Sequence, residues 1–207
     1  MTADRSYPAH AMTLAAIPMI LVGLRLAIAP FLLWDSLDGQ VGTVFLAAYV
    51  TAVLSDIFDG IIARRLGVST AALRQADSWA DRALSVGVAI AAWNVHPEII
   101  LAFRNPLILV LALQALWWIV NLAKYGQPAC YHTYTAKAWG LSLLAATLAL
   151  FGAGYGGWAL GGAIALGIVH TLEEIAMTFI LPTWHHDIPS VFHAWRLRSD
   201  VSTPLTL

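Results

Sequence analysis

The sequence predicts an all-α integral membrane protein with six transmembrane helices and both termini on the cytoplasmic side. Three observations carry this reading. Of 207 residues, 59% are hydrophobic and 11% charged, with mean hydropathy +0.73, whereas an ordinary soluble domain is about 25% charged. Apolar stretches near the roughly 20 residues needed to span a bilayer recur six times. Lys and Arg then fall almost entirely on one side of the resulting layout.

Taken in order, the expected spans are 11–34, 41–64, 77–95, 106–123, 136–151 and 158–181. Backbone groups in hydrocarbon must be satisfied within their own segment, which makes these spans helices. The breaks carry turn residues: WDSLDGQ (34–40), NVHPE (94–98), KYGQPACYHTYT (124–135) and GAGYGG (152–157). The first run is too long for a signal-peptide core and reads as a retained span. Residues 1–10 form a cytosolic or interfacial lead, 11–181 one membrane domain, and 182–207 a tail whose Trp, His and Arg suit an interface.

Orientation follows from the cations. Arg5, Arg64, Arg65, Arg74, Lys124, Lys137, Arg196 and Arg198 share the side holding both termini, with Arg82 just inside the third span there. The opposite loops hold Arg104 with Asp35, Asp38 and Glu98. That charge bias puts the termini and the loop after the second span in the cytoplasm. A net charge of -1 excludes the basic face of a nucleic-acid binder. The single cysteine, Cys130, has no intrachain disulfide partner.

Against this background SDIFDGIIARRLGVSTAALRQADSWAD (55–81) stands out. A carboxylate near the membrane core costs a few kcal/mol unless it is paired or coordinated. Asp56 and Asp59 are three residues apart and Asp77 and Asp81 four apart, so each pair lies on one helical face. A short hairpin, expected over 65–76, lets the two faces meet in one pocket at the cytosolic end of the membrane. Local pairing with Arg64, Arg65, Arg74 and Arg82 is the simpler reading. Four acids at helical spacing on consecutive helices favour a shared site. Oxygen-only donors suit Mg²⁺ or Mn²⁺, and two such ions sharing carboxylates clamp phosphates during displacement. Gly60 and Ala63 leave room for a bulky ligand, and Arg64 can pair with a phosphate oxygen.

Asp56-x-x-Asp59-Gly60-x-x-Ala63-Arg64, followed by Asp77-x-x-x-Asp81, resembles the signature of the CDP-alcohol phosphotransferase family, fixing seven residues over 26 positions. GLRLAIAP (23–30) is similar to that family's first-helix Arg-to-Pro segment, and YTAKAWGL (134–141) to its fifth-helix start with Lys137. One position departs: Leu73 stands where the family pattern has a glycine. The resemblance implies a six-helix enzyme, commonly a homodimer, that moves a phosphoryl-alcohol group from a CDP-alcohol to an acceptor hydroxyl and releases CMP. It further implies that Asp56, Asp59, Asp77 and Asp81 would hold two divalent metals. Asp56, Gly60, Ala63, Arg64 and Asp77 would line the CDP site, and Asp81 would be the catalytic base. CDP-diacylglycerol is the expected donor and a small polar or lipid alcohol the acceptor, at the cytoplasmic face of a bacterial-type inner membrane.

Arg25 lies inside an apolar span, where an arginine needs an anionic partner. With Arg74, Lys137 and Glu173 it is a candidate for acceptor or phosphate contacts. His170 reaches Glu173 or Glu174 along one helix face. Tyr131, His132 and Tyr134 read as interfacial anchors, and the adjacent histidines of WHHD (184–187) lack metal-ligand spacing. Two other classes fit part of the pattern. An intramembrane prenyltransferase also uses paired Asp motifs and Mg²⁺, but on widely separated helix pairs. A divalent-cation transporter would spread its acids over several spans.

Overall fold

The computed structural model describes residues 9–68, 70–129 and 131–202. Cys130, Arg5 and most of the 1–10 lead lie outside the described residues. The described chain is all helical, without a strand. Its helices are α1 (Ala9–Asp35), α2 (Thr43–Leu66), α3 (Ala71–Val95), α4 (Pro97–Ala102), α5 (Arg104–Tyr125), α6 (Tyr134–Ala153), α7 (Gly157–Ile180) and α8 (Val191–Ser202). Five are long and apolar enough to cross a membrane: α1 from Ala16, α2, α5, α6 and α7. Helix α3, the expected third span, is long enough, but Arg74, Asp77, Asp81 and Arg82 crowd its first half. Two short helices, α4 and α8, were not among the expected elements.

The helices divide into two compact units, Met1–Pro97 and Glu98–Leu207. In the first, α1 packs against both α2 and α3. Its buried positions Val22, Arg25, Ala29 and Leu32 recur at three and four residues, the spacing of a single helix face. Helix α2 buries Tyr49, Ala52, Ser55, Asp59 and Ala63 on the same period. Helix α3 buries Leu73, Ala80, Leu84 and Ala91. Close approach of α1 and α3 depends on Gly87, where a Cβ would lie 3.0 Å from the Ala29 carbonyl oxygen.

The connector between α2 and α3 is shorter than expected. Gly67 ends α2 in the left-handed conformation (φ 65°), and Val68 N–H bonds back to the Ala63 carbonyl at 3.1 Å. That pattern closes a helix C-terminus, and its accompanying apolar contact is Val68 against Ala63 and Leu73. Thr70 then caps α3, its side chain accepting from Leu73 N–H at 3.1 Å. These two caps make residues 71–76 helical, so Asp77 and Asp81 lie in the second and third turns rather than at the helix start.

In the second unit α7 packs against α5, α6 and α8. Small residues let α7 approach its neighbours: a Cβ at Gly167 would meet the Trp139 indole at 2.7 Å and Val110 at 3.1 Å. The C-terminus of α7 is closed by α5. Lys124 Nζ donates to the carbonyls of Thr178 (2.7 Å) and Leu181 (2.8 Å), and the Tyr125 hydroxyl donates to the same two. A cation at a helix C-terminus is favoured by the helix dipole. Below it, Tyr131, Met177, Leu181, Ile188 and Ala194 form a buried cluster that seats α8.

Gly87→Val forces atoms into the Ala29 backbone and lowers stability by about 1–3 kcal/mol. Gly140→Ala, at an exposed helix position with nothing within 4 Å, leaves stability unchanged or raises it by up to about 1 kcal/mol. Thermal unfolding of both variants in detergent measures the contrast.

Candidate active site

The buried stripes of α1, α2 and α3 determine where the charges go. Asp59 lies on the α2 stripe and Asp56 at its edge; Asp77 lies on the α3 stripe and Asp81 at its edge. All four therefore face α1, and α1 presents Arg25. The guanidinium is fully buried and ion-paired with all four carboxylates. Nη1 meets Asp56 at 2.8 Å and Asp77 at 2.9 Å and also contacts Asp81; Nη2 contacts Asp59. The anionic partner that the sequence demanded for Arg25 is the aspartate cluster itself. The four acids do not divide into separate local pairs with neighbouring arginines.

Accessibility grades the four acids. The Asp59 side chain is 6% exposed, Asp77 35%, Asp56 44% and Asp81 51%. Asp59 is thus the buried floor of the pocket and Asp81 its most open edge. Asp56, Asp59 and Asp77 each offer one carboxylate oxygen, and these oxygens lie within 4.8 Å of one another. An all-oxygen set of that size suits a hard divalent cation, and a cationic group already stands among them. The residues present fit a divalent ion.

Beside the carboxylates, the Arg64 side chain folds over Gly60, where a Cβ would lie 3.3 Å from Nη1. Gly60 thus leaves the arginine room to lie along the helix. Ala63 is buried against Val22, Leu73 and Ala80. Leu73 therefore fills core space next to Ala63, which explains how a large residue is held at this position. Arg74 is exposed on α3.

Lys137 and Glu173 belong to the second unit. Lys137 is exposed, its Nζ 5.6 Å from the Tyr134 ring centre. Glu173 spends both oxygens on protein donors: the Val191 N–H at 3.0 Å and the Thr135 hydroxyl. It ties the start of α8 to the start of α6. His170 pairs with Glu174 at 3.9 Å, as the i, i+4 spacing predicted, and its ring stacks near Trp139 at 5.2 Å.

Two arrangements were missed. Thr133 caps α6 at Ala136 N–H and approaches His170 Nδ1 at 3.4 Å; a Thr immediately before a helical run was the available signal. Asp187, at φ 58°, joins His132 (2.7 Å) and His186 (2.8 Å) through its two oxygens. The hydrogen bond from His186, with His132 alongside, holds the Asp187 carboxyl below its ordinary range. This link between the loops after α5 and α7 depends on long-range contact and has no local sequence signal.

Fold and site together define an integral membrane protein with a carboxylate cluster built by its first three helices around one buried arginine. The CDP-alcohol phosphatidyltransferase family matches residues 15–170, most of the chain, and the chain belongs to that family. Its members transfer a phosphoryl-alcohol group from a CDP-alcohol and use divalent metal. No curated protein and no solved structure matches the chain.

Asp59→Ala removes the innermost partner of Arg25 but leaves it three carboxylates, and lowers stability by about 1–3 kcal/mol in thermal unfolding. Arg74→Ala, on the exposed face, stays within about 0.5 kcal/mol.

Proposed function

We propose that the protein transfers a phosphatidyl group from CDP-diacylglycerol to an alcohol acceptor at the cytoplasmic face of a bacterial inner membrane. The observation that carries this is the convergence of Asp56, Asp59, Asp77 and Asp81 on one point in a chain of the CDP-alcohol phosphatidyltransferase family. In this reading the membrane domain spans 11–181 with six crossings and cytoplasmic termini, the 182–207 tail lies at the interface, and the enzyme works as a homodimer. Placing both acid pairs on one hairpin favours it over a prenyltransferase, and confining them to the first unit favours it over a transporter.

The four aspartates would hold two Mg²⁺ or Mn²⁺ ions, whose charge would offset that of the pyrophosphate and of the CMP leaving group. Asp56, Gly60, Ala63, Arg64 and Asp77 line the nucleotide site. The bare Gly60 surface lets a phosphate approach the helix, and Arg64 unfolds from it to pair with a phosphate oxygen. Asp81, the most open of the acids, accepts the proton of the acceptor hydroxyl. The hydroxyl oxygen bonds to the phosphorus bearing the diacylglycerol, and the bond from that phosphorus to the CMP oxygen breaks. Of the candidates for acceptor and phosphate contacts, Arg25 and Arg74 belong to the unit that holds the aspartates, and Glu173 is already committed to Thr135 and the Val191 N–H.

Release of CMP from CDP-diacylglycerol by purified protein with Mn²⁺, across a panel of alcohols, tests the reading; no CMP with any acceptor overturns it. Asp81→Asn lowers turnover by roughly 10²–10⁴-fold, the contribution of a positioned base, while CDP binding stays largely intact. Lost CDP binding would instead leave Asp81 a metal ligand with no role as the base. Leu73→Gly opens space beside Ala63 and changes the affinity for CDP relative to other nucleotides, as measured by competition binding.

A further inference from the structure

The contacts of Arg25 do not match what a guanidinium does best. A planar fork pairs with carboxylates through two parallel N–H bonds. Here three carboxylates, those of Asp56, Asp77 and Asp81, converge on Nη1 alone, and only Asp59 goes to Nη2. One Nη1 carries two hydrogens, so three oxygens exceed its donors. Asp77 and Asp81 accept hydrogen bonds from it, and Asp56 contacts it as an ion pair. Nε, fully buried on the same side chain, has no hydrogen-bond partner. Oxygens arranged radially about a point suit a spherical cation better than a planar one.

The charges do not balance either. Four carboxylates face one guanidinium, and crowded like charges call for more positive charge than Arg25 supplies. A divalent ion held by Asp56, Asp59 and Asp77 would sit among the same carboxylates that Arg25 now contacts and would repel the guanidinium from that space.

From this we infer that Arg25 is an exchangeable internal counter-ion: it holds the aspartate cage and competes with divalent cations for it, so that metal binding drives its side chain out. The inference rests on the metal-binding part of the proposed function. It makes Arg25 the residue that sets metal affinity, in addition to any contact with substrate.

The test uses the full-length protein in detergent with Mn²⁺ alone and no substrate. Bound Mn²⁺ is read from loss of the free-ion paramagnetic resonance signal. Arg25→Gln binds Mn²⁺ at least tenfold more tightly than wild type, and Arg25→Lys falls between them. In chelator, Arg25→Gln melts below wild type, and saturating Mn²⁺ closes that gap. Independently of folding in the variants, phenylglyoxal labelling of wild-type Arg25, mapped by mass spectrometry, rises severalfold when Mn²⁺ is added. Equal or weaker Mn²⁺ binding by both folded variants, or labelling that Mn²⁺ does not change, overturns the exchange. Wild type that binds no Mn²⁺ at all overturns the metal reading along with it.

Discussion

The first unit depends on one interaction: a buried arginine on α1 surrounded by four carboxylates from α2 and α3. In a low-dielectric setting each of these charges alone would be prohibitive. Together they turn a liability into the strongest specification of how the three helices rotate. Slipping any helix by one residue would move its acid off the shared face and leave a charge unpaired. The same logic explains the two acids in the first half of α3, since Asp77 and Asp81 meet a cation rather than lipid. Apolar packing supplies proximity, through the Gly87–Ala29 approach; the charges supply register.

The second unit solves its polar problems differently. Several of its polar groups satisfy backbone: Lys124 and Tyr125 close the carbonyls of α7, and Glu173 accepts the first N–H of α8. These contacts replace water at helix ends, which the bilayer does not provide. Charges that serve as structural caps are satisfied by their neighbours. The aspartate cluster, with an excess of negative charge and an unpartnered Nε, is not, and that contrast separates the candidate site from the rest of the polar interior.

Much of this was legible in the residues. Hydropathy placed five of the six long helices within about two residues at each end, because the requirement for internally bonded backbone leaves little choice of element. Spacing placed Asp56, Asp59, Asp77 and Asp81 on convergent faces, and the isolation of Arg25 in an apolar run announced an anionic partner. What spacing could not show was that the partner is those same aspartates, because pairing across helices depends on their relative rotation. Helix α3 began earlier than expected because caps at Gly67 and Thr70 close the connector, leaving the strong helix formers of 71–76, AALRQA, inside the helix. The loop contact centred on Asp187 joins residues far apart in the chain, where periodicity carries no information.

The short connector between α2 and α3 has a bearing on how the chain is made. All five charged groups of the cluster lie between Arg25 and Asp81, within the first unit. A growing chain that has released its first three helices from the ribosome already carries the complete set. Helix α3 is not among the helices that are long and apolar enough to cross a membrane, whereas α1 and α2 are. The acids of α3 meet an arginine that preceded them in synthesis, so the charge pairing that builds the pocket needs nothing from the second unit.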